Sequence, residues 1–167
     1  MAEMCFTSIG TVRSPHTSRE GAPIQPTGAQ GVRGHIDINP EFQAGVKDLD
    51  GFSHIFVLYH CHLSQGYDLE VVPFMDTEVH GVFATRAPRR PNPIGLSVVR
   101  LLAVYSGRLD LADVDLLDGT PVLDIKPFVP DFDVPAGEVR TGWLAQNAEK
   151  AETLTADDRF TSRDYGE

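Results

Sequence analysis

The chain has 167 residues, a formal charge of −10 and a pI near 4.9, which argues against broad non-specific nucleic-acid binding but allows a local basic patch. Its 41% apolar and 23% charged residues fit one globular domain with a real core. No apolar run approaches the ~20 residues that span a bilayer. The first residues show no secretory pattern, and Cys5 and Cys61 are too few for a disulfide framework, so a reducing cytoplasm is the expected compartment.

Taken in order, Phe6 to Val12 reads as a first strand. Thr17 to Gly31 is a long irregular segment stiffened by Pro23 and Pro26. A loop of that length inside a compact domain usually carries function. Val32 to Ile38 alternates, with Val32, Gly34, Ile36 and Ile38 on one face. Pro40 to Leu49 predicts a short helix, with Asn39 as N-cap and Phe42, Val46 and Leu49 on one side. Phe52 to Leu63 is apolar enough for a central strand, and Leu69 to Phe74 and Val79 to Thr85 predict two more.

Leu96 to Tyr105 and Arg108 to Val114 predict a hairpin about Ser106-Gly107, and Pro121 to Phe128 predicts a last strand with Asp124 and Lys126 opposite Ile125. After Gln146 the chain turns polar, and Glu149 to Asp158 predicts one exposed helix. Many short strands with one or two short peripheral helices make the fold all-β, a sandwich or barrel. Neither a strand–helix rhythm nor a Gly-x-Gly-x-x-Gly signature is present, so a doubly wound nucleotide fold is excluded.

The segment from Phe83 to Ser97 organises the rest. Pro88, Pro91 and Pro93 fix φ and remove amide donors, so Arg86, Arg89 and Arg90 sit on or beside a stiff loop between strands. Five arginines and no acid lie between Val79 and Leu109. That density predicts an anion-binding or substrate-clamping loop, with Arg89 and Arg90 projecting from it.

His60-Cys61-His62 looks like a metal motif, but on a strand His60 and His62 share one face and Cys61 points away. Two histidines without a local third ligand do not close a zinc site, so no metal is expected and at most one of them serves chemistry. Asp118 precedes Gly119 as a turn residue, whereas Asp115 stays open for acid–base work. No Gly-x-Ser-x-Gly elbow is present, which argues against a serine hydrolase.

With Phe83-Ala84-Thr85-Arg86, Arg90-Pro91-Asn92-Pro93-Ile94-Gly95-Leu96-Ser97 and Asp115 to Phe128 laid out, residues 6–145 resemble the TrmO family, also called TsaA-like or YaeB. Ile9 to Pro15 and Gly51-Phe52-Ser53-His54 support the resemblance, while Phe128 stands where the family more often has Tyr. The resemblance implies a small antiparallel barrel over residues 1–145, followed by a polar, partly helical tail over 146–167. It implies S-adenosylmethionine as cofactor, held without a Rossmann sheet, and a homodimer with its site near the subunit interface. The implied reaction is N6-methylation of threonylcarbamoyl-adenosine at position 37 of tRNA.

Cofactor contacts would fall on Pro23, Ile24, Gln25, Cys61, His62, Arg86, Leu96, Ala112, Asp113, Val114 and Asp115. Ile24 replaces a frequent arginine. His62 and Asp115 are the candidate catalytic bases. Arg89, Arg90, Asn92 and Lys126 are the candidate tRNA contacts, their planar forks (for the arginines) suiting phosphate or carboxylate. The alternative is a non-catalytic barrel that binds S-adenosylmethionine or another adenosyl ligand and regulates a partner, which the net charge favours.

Overall fold

The computed structural model describes residues 3–160. Six strands close into an antiparallel barrel in the order β1 (Gly10–Arg13), β2 (Arg33–Ile38), β7 (Arg108–Ala112), β6 (Ile94–Tyr105), β3 (His54–His60) and β8 (Pro121–Pro127), with β8 returning to β1. β4 (Glu70–Val71) and β5 (His80–Gly81) form a separate two-stranded ladder. Closure removes the exposed edges that an open sheet of these strands would present.

The alternation read from the sequence becomes the core. Ile36 and Ile38 on β2, Ile55 and Val57 on β3, Val99 and Leu101 on β6, and Leu109 and Leu111 on β7 all point inward and are buried. Their burial is the dominant stabilising term, at roughly 25 cal/mol per Å² of apolar surface removed from water. Two register shifts, at Leu58/Tyr59 against β8 and Leu101/Ala103 against β7, bend the long strands round the barrel.

Several expectations need correction. The predicted helix over 40–49 is two 3₁₀ turns, Pro40–Val46 and Leu49–Gly51, and Asn39 makes no cap; its side-chain amide donates to the Ser8 carbonyl at 2.9 Å. Phe42, Val46 and Leu49 nonetheless pack on the core. The predicted strands over 69–74 and 79–85 shrink to two residues each, because Pro73 and the 3₁₀ turn Val82–Ala84 interrupt the ladder.

The C-terminal segment is not a solvated helix. From Gly142 to Phe160 it runs as three 3₁₀ turns, with Ala151 and Phe160 buried. It is tied to the long loop by a bridge between Pro23 and Thr155 and by the hydrogen bonds Gly21 N–H to Ala156 O and Ala156 N–H to Ala22 O. Gly28 passes so close to this segment that a Cβ there would meet the Ala151 carbonyl oxygen at 2.8 Å. Residues 161–167 of the expected tail lie outside the described residues.

Candidate active site

The site is built where β3 ends, β6 begins and the chain leaves β7. Tyr59 extends the inward row Ile55, Val57 and pairs with Gly95 across the β3–β6 ladder. Beyond β7, Asp113 adopts φ 63°, the left-handed region that non-glycine residues rarely visit. It is held there by the Gly31 amide, which donates to its Oδ1 at 2.7 Å, and by Arg100, whose Nε lies 3.3 Å from its Oδ2. The turn sends Val114 into the core and leaves Asp115 facing the cavity.

Asp115 Oδ2 accepts a hydrogen bond from Ser97 Oγ at 3.1 Å, but its Oδ1 is buried with no hydrogen-bond partner. Burial pushes its carboxyl up to about 6, and the Ser97 bond and the Arg86 charge offset only part of this. Burial, with the neighbouring Asp115 and Cys61 next, also drives the Tyr59 phenol well above its usual range. Cys61 is pushed up to about 11 by burial against the opposing charge of Arg90, so its thiol is not a nucleophile at neutral pH. His62 lies below its ordinary value, through burial and the neighbouring His60, and is therefore neutral.

A cavity of about 890 Å³ opens above this floor. Pro23, Ile24 and Gln25 of the long loop form one wall, Cys61 and His62 another, and Arg86, Arg90 and Leu96 a third. The Arg86 guanidinium donates through Nη1 to Gln25 Oε1 at 2.7 Å, and Arg90 Nη1 donates to the Thr85 carbonyl at 3.3 Å. The loop thus brings two cationic groups to the cavity, where Arg86 acts on the buried Asp115 carboxyl and Arg90 on Cys61. Neither guanidinium is held by an acid: Arg86 is fixed by a neutral amide and Arg90 by a carbonyl.

Eight of the expected cofactor residues therefore share one cavity: Pro23, Ile24, Gln25, Cys61, His62, Arg86, Leu96 and Asp115. Ala112, Asp113 and Val114 do not line it; Val114 belongs to the core, and Asp113 turns the chain.

The expected tRNA contacts scatter. Arg89 does not project: it is only 4% exposed, with Nε 3.2 Å from Asp68 Oδ2. That Nε makes no aligned hydrogen bond, so the contact is an ion pair by proximity. The reason is that a distant loop brings Asp68 to it, a partner invisible in the local sequence. Asn92 lines a separate hollow of about 320 Å³ beside Met4, Phe6 and His60. Lys126 is exposed outside the barrel and pairs with Asp124 at 2.7 Å. Of the four, only Arg90 faces the main cavity.

The sequence reading missed the cavity's roof. Trp143, Leu144, Ala151 and Phe160 line it from the C-terminal segment, and Trp143 Nε1 donates to the Ala84 carbonyl at 2.9 Å. Its ring stacks on His80, centroids 4.6 Å apart. The one signal was a lone tryptophan in an otherwise polar stretch. Tyr59 and Ser97, which shape the floor, were also missed. Among the described residues no three His, Cys, Asp or Glu side chains converge as a metal site, and no helix is long and apolar enough to cross a membrane.

Residues 11–134 match the family described as the tRNA-methyltransferase O N-terminal domain. A protein of Pyrococcus abyssi named "Probable S-adenosyl-L-methionine-binding protein" is 49% identical over 97% of this chain and 88% of its own length. The Escherichia coli tRNA (adenine(37)-N6)-methyltransferase is 37% identical over 94% of this chain and 72% of its own. The crystal structure of TrmO from Pseudomonas aeruginosa superposes with a TM-score of 0.71 at 40% identity, covering 85% of this chain. This chain spans 63% of that solved chain.

Proposed function

We propose, from the premise that this chain belongs to the family of the tRNA-methyltransferase O N-terminal domain, that it is an S-adenosylmethionine-dependent tRNA adenine-N6 methyltransferase acting at position 37. The observation that carries the reading is the single cavity holding Arg86, neutral His62 and the unpartnered Oδ1 of Asp115. Threonylcarbamoyl-adenosine is the proposed acceptor.

The donor set fits the cofactor. S-adenosylmethionine carries a carboxylate, an ammonium and a positive sulfur, and supplies a methyl group to an aligned nucleophile. Arg86, steadied by Gln25, suits the carboxylate. The backbone and apolar surfaces of Pro23, Ile24 and Leu96 suit the adenosyl portion, with Ile24 contributing contact where an arginine would contribute charge.

The chain's own work is alignment, exclusion of water and removal of one proton. The acceptor nitrogen of a ureido-substituted adenine is a poor nucleophile while it keeps its proton. Asp115 is the better-placed base: it lines the cavity, it is ionised at neutral pH, and its raised basicity favours taking the proton. Neutral His62 serves as a hydrogen-bonding neighbour at the wall. The roof segment closes the cavity from above.

Assembly as a homodimer in the cytoplasm belongs to the same proposal. Exposed Met4 and Phe6 beside the smaller hollow, together with Ile94, supply apolar surface for a second copy. Cys5 and Cys61 are both free thiols.

A second reading, a barrel that binds the cofactor and regulates a partner without catalysis, draws on the burial of Arg89 and the charge of −10, which leave little phosphate-binding surface. Methyl transfer decides between them. The purified chain with labelled S-adenosylmethionine should label tRNA that carries threonylcarbamoyl-adenosine and not tRNA lacking it. Cofactor binding without transfer to any tRNA would select the regulatory reading.

A further inference from the structure

We propose that Phe83 is a stacking platform for an unpaired base of the RNA substrate at the cavity mouth, a role that rests on the tRNA-methyltransferase reading. Phe83 is 77% exposed although it sits between well-anchored neighbours: Val82 is 1% exposed and Thr85 8%. The 3₁₀ turn carrying it is fastened on both sides. Thr85 N–H and Oγ1 both donate to the Val82 carbonyl, and Trp143 Nε1 donates to Ala84 O. The ring is therefore presented on a rigid mount and not left on a loose loop.

Phe83 lines the same cavity as Arg86 and Asp115, and among the described residues its ring stacks on no other aromatic. Trp143, also at the cavity, already has one face occupied by His80.

Charge makes this ring the favoured recognition element. Of the five arginines between Val79 and Leu109, Arg89, Arg100 and Arg108 are paired with Asp68, Asp113 and Asp110. Of the five, Arg86 and Arg90 face the cavity, joined there by Arg19, which donates to the Phe160 carbonyl at 3.1 Å. An acidic chain with three arginines at its cavity gains less affinity from phosphate neutralisation, the usual source of RNA binding, than a basic one would. Stacking of unpaired bases on aromatic faces is the other general source, and it does not depend on salt. An exposed phenyl ring three residues before Arg86, at the opening above the proposed base, fits an unstacked purine of a tRNA loop.

The test uses the full chain, an anticodon stem-loop RNA and fluorescence anisotropy at two salt concentrations, with cofactor affinity measured by calorimetry. Phe83→Ala should weaken RNA binding roughly five- to 150-fold, the range for loss of one stacked base. The salt slope should be unchanged, and cofactor affinity should stay at the wild-type level. Phe83→Trp and Phe83→Tyr should retain binding, while Phe83→Leu, equally apolar, should not.

Unchanged RNA affinity in Phe83→Ala would overturn the proposal, as would a parallel loss of cofactor affinity, which would place the ring in the cofactor site. A switch from dimer to monomer in sedimentation, with RNA affinity lost in proportion, would assign the ring to a second copy of the chain. If the wild-type chain binds cofactor but neither binds nor methylates RNA, the methyltransferase reading fails with it; wild-type methylation that survives Phe83→Ala sinks the stacking role alone.

Discussion

The phenol ring of Tyr59 lies across Gly95, its partner in the β3–β6 ladder, and fills the space that a Cβ at 95 would need. Any side chain there must displace the ring that forms the cavity floor. Gly95→Ala should therefore destabilise the barrel by about 1–3 kcal/mol, the usual penalty for overpacking, and should also weaken cofactor binding. Thermal unfolding and calorimetry on the same sample check it. A variant with wild-type melting temperature would show that the ring can move at no cost.

Arg86 should carry a large share of cofactor affinity. Its guanidinium is held from one side by Gln25 and faces a cavity that also holds the Asp115 carboxyl, His62 and Arg90. Arg86→Ala removes a charge-assisted bond to the ligand's carboxylate, worth about 1.5–3 kcal/mol. Arg86→Lys should recover only part, because an ammonium can donate to Gln25 Oε1 but cannot also present a planar fork to a carboxylate. Equal calorimetric affinity in wild type and Arg86→Ala would take Arg86 out of the site.

Alternation in the strands made the barrel legible, since period-two burial at Ile36/Ile38, Ile55/Val57 and Val99/Leu101 depends only on local pattern. The prolines of the organising loop likewise announced a rigid segment. What stayed hidden depends on contacts distant in sequence. Asp68 reaches Arg89 from another loop, and the Gly142–Phe160 segment earns its place through backbone bonds to residues 21 and 22. Its polar composition reflects an outer face in water, while Ala151 and Phe160 are buried and Trp143 and Leu144 turn toward the cavity. Asp113 stood among the ligand contacts through the family resemblance, whereas its left-handed backbone gives it the task of steering the chain.

That task predicts an ordering of variants at Asp113. Asp113→Ala keeps the unfavourable φ and loses the bond from Gly31 and the pair with Arg100, so it should cost about 1–2 kcal/mol. Asp113→Gly loses the same partners but relieves the backbone, and should cost less. Denaturant midpoints give the comparison. If Ala and Gly are equally damaging, the left-handed backbone contributes nothing.

The last prediction concerns Asp115 and pH. Its folded-state value near 6 lies above the ordinary 3.8, so between those values the folded chain holds more protons than the unfolded one. Its contribution to stability is then fully present below pH ~4 and is lost as pH rises through 6; above that the buried, partly unpartnered carboxylate is a standing penalty of about 3 kcal/mol. Asp115→Asn removes the charge while keeping a group that can bond Ser97. It should stabilise the protein by that order at pH 8, give no gain at pH 4, and abolish or greatly slow methyl transfer. For the wild type, cofactor affinity should rise from pH 5 to pH 7, because a proton on Asp115 removes a negative charge from the cavity that would receive a ligand carrying a positive sulfur. Unfolding at three pH values and calorimetry at two of them decide the matter. A stability difference independent of pH would mean that Asp115 titrates at its ordinary value and that burial is not what tunes the base.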